Sequence, residues 1–104
     1  MSFSFTDEDG RDPAHDSAKM VITDVFETEQ FGLIIAGQLE YGALRKGDEV
    51  LLVKADGTSI KSTIQRVESL RQEVSSAEPG KYVGLILANI TRDKVQGGDS
   101  IVKV

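Results

Sequence analysis

The chain has 104 residues, of which 39% are hydrophobic and 28% are charged, a size and composition typical of one globular domain with a single core. It contains no Cys and one His, which excludes disulfide frameworks, thiolate catalysis, cysteine-based zinc sites and any site that needs two imidazoles. The formal net charge of -5 opposes broad, nonspecific binding to nucleic acid, because such binding depends on neutralising phosphates.

Most of the acidity lies in residues 1–18, which carry a net charge of -4. This segment has two Phe, one Gly and one Pro without helix or strand periodicity, so we predict a disordered acidic leader. Residues 19–104 carry a net charge of only -1 and are predicted to form the folded domain. Because neither a secretion signal nor a membrane-spanning apolar run is present, we expect a cytoplasmic protein without membrane contact.

From residue 19 onward, short runs of Val, Ile, Leu and Phe alternate with turns that contain Gly, a pattern typical of an all-β barrel or sandwich. Asp56 and Gly57 predict a tight hairpin, and Pro79 followed by Gly80 predicts a second reversal. Six strands are predicted, at residues 19–28, 31–40, 48–54, 59–72, 82–89 and 99–104.

The fourth predicted strand has a pattern that also fits a helix, because Ile60, Ile64, Val67 and Leu70 follow one another at offsets of four, three and three. The segment comes directly after a hairpin signal and is rich in Ser and Thr at its start. A helix there would be the only one in a β pattern. We therefore predict a bent or bulged strand.

Three glycines lie inside predicted strands, where a residue without a side chain weakens the strand: Gly32, Gly37 and Gly84. Closure of a small barrel explains them, because backbones approach closely where a barrel turns a corner. Contact with a ligand is the alternative explanation.

Two stretches carry a recognisable order of motifs: DVFETEQFGLIIAGQLEYGALRKGDEVLLV, and TIQRVESLRQEVSSAEPGKYVGLILANITRDKVQGGDSIV. The chain resembles the β-barrel second domain of translational GTPases, most closely that of elongation factor Tu, over residues 19–104. The matching positions are Asp24, Val25, Phe26, Gly32 to Ile35, Gly37, Glu40, Gly42, Lys46 to Val50, Val67, Glu68, Gly80, Val83 to Leu87, Arg92, Asp93, Val95, Gly98, Asp99 and Ile101.

The resemblance implies a closed or nearly closed six-stranded barrel of the translation-factor domain 2 type. In that family the domain docks on small-subunit ribosomal RNA and, in the Tu branch, helps to hold the aminoacylated end of transfer RNA. Asp24, Phe26, Glu68 and Arg71 match positions around that pocket, and Arg66 is a further candidate for contacting RNA or another partner. Aromatic and guanidinium groups stack on bases, and a carboxylate accepts hydrogen bonds from sugar hydroxyls.

The sequence contains no glycine-rich phosphate-binding loop, so we expect a barrel without a GTPase domain, with no catalysis, no nucleotide, no metal and no other cofactor. The family pattern has Asn where this chain has Tyr82, and the 27–30 segment carries Glu27 and Glu29, which repel phosphates. The first hypothesis is a noncatalytic module that docks on the ribosome or RNA. The second is a protein-interaction barrel that has lost RNA binding.

The candidate residues also have purely structural explanations. Phe26 fits core packing, and Asp24, Glu68 and Arg71 fit a cluster of surface ion pairs.

Overall fold

Strands predominate in the computed structural model, which describes residues 17–69 and 72–103. Residues 1–16 of the predicted leader therefore lie outside the described residues. The connection between the last two strands contains a short 3-10 helix, Arg92–Lys94. No helix in the described part of the chain is long and apolar enough to cross a membrane. The strands are β1 (Ala18–Thr28), β2 (Gly32–Tyr41), β3 (Leu44–Arg45), β4 (Glu49–Val53), β5 (Ser59–Ser69), β6 (Gln72–Glu73), β7 (Ser76–Ala77), β8 (Tyr82–Leu87) and β9 (Ser100–Lys103).

Six of these strands close into an antiparallel barrel in the order β4, β9, β1, β2, β8 and β5, and the pairing of β4 with β5 completes the ring. Each of the six predicted strands corresponds to one barrel strand, so the predicted all-β, closed six-stranded barrel is confirmed. The short β3 and β7 pair with each other outside the ring, and β6 extends β5 into a hairpin.

The core fills the inside of the barrel with side chains from every ring strand. Successive side chains of a strand point to opposite faces, and in YVGLIL of β8 Val83, Leu85 and Leu87 point inward and are buried. The largest of the fully buried side chains include Met20, Ile22, Ile35, Leu39, Leu52, Ile64 and Ile101.

Two of the predicted glycine roles are visible in the ring. At Gly57 the backbone has φ 91°, and the predicted hairpin between β4 and β5 is confirmed, with Asp56 Oδ1 accepting from Thr58 N at 2.9 Å. At Gly37 an added Cβ would lie 1.9 Å from the carbonyl oxygen of Val21. The close backbone approach of β1 therefore requires glycine at this position of β2.

A β-bulge in β5 explains the helix-like spacing of its apolar residues. Ile64 pairs with Leu87 and Arg66 with Ile86, so Gln65 is an extra residue in the strand. Before the bulge the even-numbered residues of β5 face the core, and after it the odd-numbered residues do. Ile64 and Val67 are therefore both buried. The predicted bulged strand is thus confirmed over Ser59–Ser69.

A second bulge redirects the end of β1. Ile22 pairs with Gly37 while Asp24 pairs with Ala36, which leaves Thr23 as the extra residue. Before the bulge Ile22 lies in the core, and after the bulge Val25 packs against the core. Residues 24 and 26 consequently lie on the outer face of the barrel.

The connection from β8 to β9 is anchored by Asp99, whose side chain is completely buried. Its Oδ2 atom accepts from Lys54 Nζ at 2.6 Å and from the Gln96 backbone N at 3.0 Å. Lys54 Nζ also donates to the Lys94 carbonyl oxygen at 2.7 Å. Burial alone would raise the pKa of Asp99, but the hydrogen bonds and the charge of Lys54 lower that pKa below its ordinary value.

Candidate functional site

A row of four residues crosses the outer face of the barrel from β1 to β5. In the sheet register Asp24 pairs with Ala36, Ala36 with Gly84, and Gly84 with Glu68. The two central positions have almost no side chain, whereas a carboxylate stands at each end. The row therefore forms a trough with a small-residue floor.

The trough is part of a groove of about 590 Å³. Phe26 and Ile34, which pair across β1 and β2, lie beside the floor. Phe26 is 44% exposed and Tyr82 is 53% exposed, so two aromatic rings are available at the surface. The residues that line the groove are Phe26, Thr28, Gln30, Phe31, Ile34, Ala36, Glu68, Tyr82 and Gly84.

Tyr82 connects two strands that are not neighbours. Its hydroxyl donates to Asp24 Oδ2 at 2.5 Å, although β2 lies between β8 and β1. Thr23 Oγ1 also donates to this carboxylate oxygen, at 3.1 Å. The hydrogen bond to Asp24 raises the pKa of the Tyr82 hydroxyl, and partial burial adds to the increase. Asp24 is thus already hydrogen-bonded at one oxygen.

Arg66 occupies the β5 side of the groove and is engaged by several partners. Its Nε donates to Glu68 at 2.8 Å and its Nη1 to Glu73 at 3.3 Å. Its guanidinium carbon lies 4.1 Å from the centroid of the Phe31 ring, a distance typical of a cation–π contact. Phe31 is itself positioned by its backbone N, which donates to Thr28 Oγ1 at 3.0 Å.

The structure brings together four of the five candidate residues: Asp24, Phe26, Arg66 and Glu68 all lie on this outer face. Arg71 lies outside the described residues. Phe26 is exposed on the outside of the barrel and is not part of the core. Of the expected ion pairs, Glu68 forms one with Arg66, whereas Asp24 is bonded to hydroxyl groups.

Sequence reasoning did not select Phe31, Ile34 or Ala36 as groove residues. Ile34 and Ala36 alternate with Ile35 and Gly37 along β2, so strand periodicity places them on the outer face, where they are nevertheless buried, at 5% and 1% exposure. Phe31 lies in a turn, and its contact with Arg66 depends on the register between strands that are distant in sequence. In the sequence Tyr82 stands out only as a departure from the family pattern, but in the structure it borders the groove together with Gly84.

The groove has aromatic side chains for stacking, a carboxylate as a hydrogen-bond acceptor, and a floor that admits close approach. Among residues 17–69 and 72–103, no group of His, Cys, Asp or Glu side chains is arranged to hold a metal ion. These features are suited to binding a partner surface by stacking and apolar contact.

A comparison with protein families agrees with this architecture. The family model described as elongation factor Tu domain 2 matches residues 32–102. The match covers β2 to β8 and most of β9, and includes Ile34, Glu68 and Tyr82 of the groove. Asp24 and Phe26 precede the matched residues and join the groove through the pairing of β1 with β2.

Proposed function

The chain belongs to the elongation factor Tu domain 2 family, and from this membership we propose that it is a noncatalytic binding module that docks on the ribosome or on RNA through the groove. The single observation that carries the proposal is the exposed aromatic groove. Phe26 and Tyr82 present rings at the surface beside the small-residue floor of Ala36 and Gly84. Bases and planar side chains stack on such rings with little dependence on sequence.

The positions of the carboxylates support a noncatalytic role. Asp24 and Glu68 stand on strands separated by three interstrand spacings, or roughly 14 Å between backbones. Each is already hydrogen-bonded, to Tyr82 and Arg66 respectively. Acid–base chemistry by paired carboxylates requires two groups that converge on one substrate bond.

Cosedimentation with small ribosomal subunits and with whole ribosomes, at low and moderate salt, tests the proposal. We expect saturable binding that weakens with salt and falls about tenfold in the Phe26→Ala variant. Tyr41→Ala is the matched control, because Tyr41 is 47% exposed and does not line the groove. Absence of saturable binding, or equal binding by both variants, would overturn the groove as the docking surface.

A protein-interaction barrel is the second candidate function, and the state of Arg66 favours it. Its charge is balanced by Glu68 and Glu73, and its face is covered by Phe31. Phosphate binding depends on accessible cations. Affinity capture tests this candidate: a specific protein retained after nuclease treatment and moderate salt supports it, and recovery of RNA alone rejects it.

A further inference from the structure

Most polar side chains that line the groove are already engaged within the protein. Four of the lining residues have polar side chains, and three of these have hydrogen-bond partners in the described part of the chain. The hydroxyl of Tyr82 donates to Asp24, Glu68 is ion-paired with Arg66, and Thr28 accepts from a backbone N. What the groove mainly offers to an occupant is therefore apolar and aromatic contact.

The apolar surface of the groove suits uncharged aromatic side chains. Its volume of about 590 Å³ combines a floor of Ile34, Ala36 and Gly84 with the exposed rings of Phe26 and Tyr82. Aromatic rings attract one another in offset or edge-to-face contacts. A charged group brought to the same surface would lose water without gaining a free partner. An uncharged occupant with aromatic side chains therefore matches the groove better than a charged one.

The chain itself contains a segment of this kind at the start of its leader. Residues 1–6 read MSFSFT and have no charged side chain, whereas residues 7–16 carry five acids and one base. Phe3 and Phe5 are separated by one residue, so both rings project to the same side of an extended segment. An aromatic, uncharged end is thus joined to the barrel by an acidic tether.

The tether is long enough to bring this end to the groove. The leader enters the barrel at Ala18, where β1 begins, and Phe26 lies eight residues further along the same strand, or roughly 25 Å away. Residues 7–17 span about 36 Å when extended. A flexible tether of this kind gives its free end an effective concentration on the order of millimolar. Even a segment of millimolar affinity then occupies the groove in about half of the molecules.

From these features we propose that residues 1–6 of the chain occupy the groove through Phe3 and Phe5 and are displaced when an external partner binds. The inference rests on the proposed function, because it takes the groove as the docking surface and adds a competitor from the same chain. A segment without helix or strand periodicity can still become ordered where it binds. Half occupancy by the segment lowers the apparent affinity for the partner about twofold.

Paramagnetic relaxation enhancement in the full-length chain tests the inference. Because the chain has no Cys, Ser2→Cys provides a single site for a nitroxide label near the end of the leader. The amide signals of Phe26 and Gly84 are expected to broaden at least about twofold more than that of Leu51. Leu51 is the reference, because the register places it two strands from Lys19, or roughly 10 Å from the start of β1. A leader that does not dock approaches Leu51 more often than it approaches the groove.

The rings of the leader are tested by the double variant Phe3→Ser/Phe5→Ser. With the same label it should lose the extra broadening at the groove, and without the label it should cosediment with ribosomes about twofold more tightly. Gly10→Ser/Ala14→Ser is the matched control, because it changes two leader residues without removing a ring. When nitroxide-labelled protein is mixed with isotope-labelled protein that lacks the nitroxide, no broadening is expected, since the segment binds within its own chain.

The outcomes separate this inference from the proposed function. Equal broadening of Leu51 and the groove amides, equal broadening in the two double variants, or broadening in the mixture would overturn the docking of residues 1–6 in their own groove, whether or not ribosomes bind. Docking of the segment without saturable binding to ribosomes would overturn the proposed function alone. If the segment docks but Phe3→Ser/Phe5→Ser leaves ribosome binding unchanged, the two do not compete and the displacement is overturned.

Discussion

The guanidinium carbon of Arg66 lies 4.1 Å from the centre of the Phe31 ring, so β5 contacts the turn between β1 and β2 across the groove. Two strands, β2 and β8, lie between β1 and β5 in the sheet. The contact therefore fixes the position of the turn over the outer face. Because Arg66 also pairs with Glu68 and Glu73, one side chain links three elements of the site.

Replacing Arg66 with Lys tests this linkage. Lysine keeps the charge but has neither the planar face that stacks on Phe31 nor the geometry to bind two carboxylates. We expect the free energy of unfolding to fall by about 1 kcal/mol, because the site is only partly shielded from solvent. Urea denaturation measures the change, with Arg92→Lys in the exposed 3-10 helix as the control. In a double-mutant cycle with Phe31→Leu, a coupling energy of zero would contradict the contact.

Because of its hydrogen bond to Asp24, the Tyr82 hydroxyl is expected to ionise at a higher pH than an ordinary tyrosine. The raised pKa means that the folded protein keeps the hydroxyl proton above the ordinary pKa of 10. The stabilisation is complete below the pKa of the unfolded chain and is lost as the pH rises through the higher pKa of the folded protein. Ultraviolet absorbance titrations of the native chain and of Tyr82→Phe test this, because the difference between the two titration curves reports the ionisation of the Tyr82 hydroxyl.

Asp24→Asn should lower the pKa of Tyr82 towards its ordinary value, since the amide carries no charge. Glu40→Asn is a control that removes an exposed carboxylate outside the groove. If the difference between the native chain and Tyr82→Phe gives an ordinary pKa for Tyr82, the hydrogen bond to Asp24 does not form in solution.

The strands were predictable because their signals are local. Alternating apolar residues determine which side of β8 is buried, and Asp56 with Gly57 determines the hairpin after β4. The bulge in β5 also leaves a local trace, the three-residue step from Ile64 to Val67. This spacing also fits a helix, and the neighbouring hairpin signal is what favours a strand.

The site was only partly predictable, because it depends on relationships between distant strands. The bulges at Thr23 and Gln65 turn residues 24, 26, 66 and 68 outward, and the register then aligns Asp24 with Glu68 across two small residues. Family resemblance selected Asp24, Phe26 and Glu68, and Arg66 was a candidate as a cation. It did not indicate that Phe31 covers Arg66 or that Tyr82 reaches Asp24, since both contacts cross intervening strands.

Alanine at two strand glycines should have very different effects on stability. At Gly37 the new Cβ meets the backbone oxygen of Val21 at 1.9 Å, so β1 must move, and we expect a loss of at least about 3 kcal/mol. At Gly84 it meets the Cγ2 methyl group of Ile34 at 3.0 Å, which a shift of that side chain by a few tenths of an ångström relieves, and we expect a loss of about 1 kcal/mol. Thermal and urea unfolding of both variants measure the contrast, and equal losses would contradict the close approach of β1 to β2.

Gly84→Ala also tests the groove. Gly84 lies on the groove floor, so the added methyl group reduces the depth available to a partner. A folded Gly84→Ala variant is therefore expected to cosediment with ribosomes more weakly than the native chain. Ala55→Gly, which changes one exposed methyl group in the β4–β5 hairpin, should not alter this binding.

Asp99→Asn is predicted to be the most destabilising of the single carboxylate-to-amide replacements considered. It leaves the Lys54 ammonium, which is 21% exposed, without its anionic partner, and we expect a loss of about 2 to 3 kcal/mol at neutral pH. Asp48→Asn is the control, because the Asp48 carboxylate pairs with Lys103 at 3.1 Å and is 24% exposed, so its loss should be about 1 kcal/mol. Urea denaturation at neutral pH compares the two.

The lowered pKa of Asp99 fixes the sign of the pH dependence. The native carboxylate is stabilising above the pKa of an unfolded Asp, about 3.9, and this stabilisation is lost as the pH falls through the lower pKa of the folded protein. The difference in unfolding free energy between the native chain and Asp99→Asn should therefore shrink in acid. A difference that stays constant from neutral pH to below about pH 3 would mean that Asp99 does not stabilise the connection between β8 and β9 through its charge on Lys54.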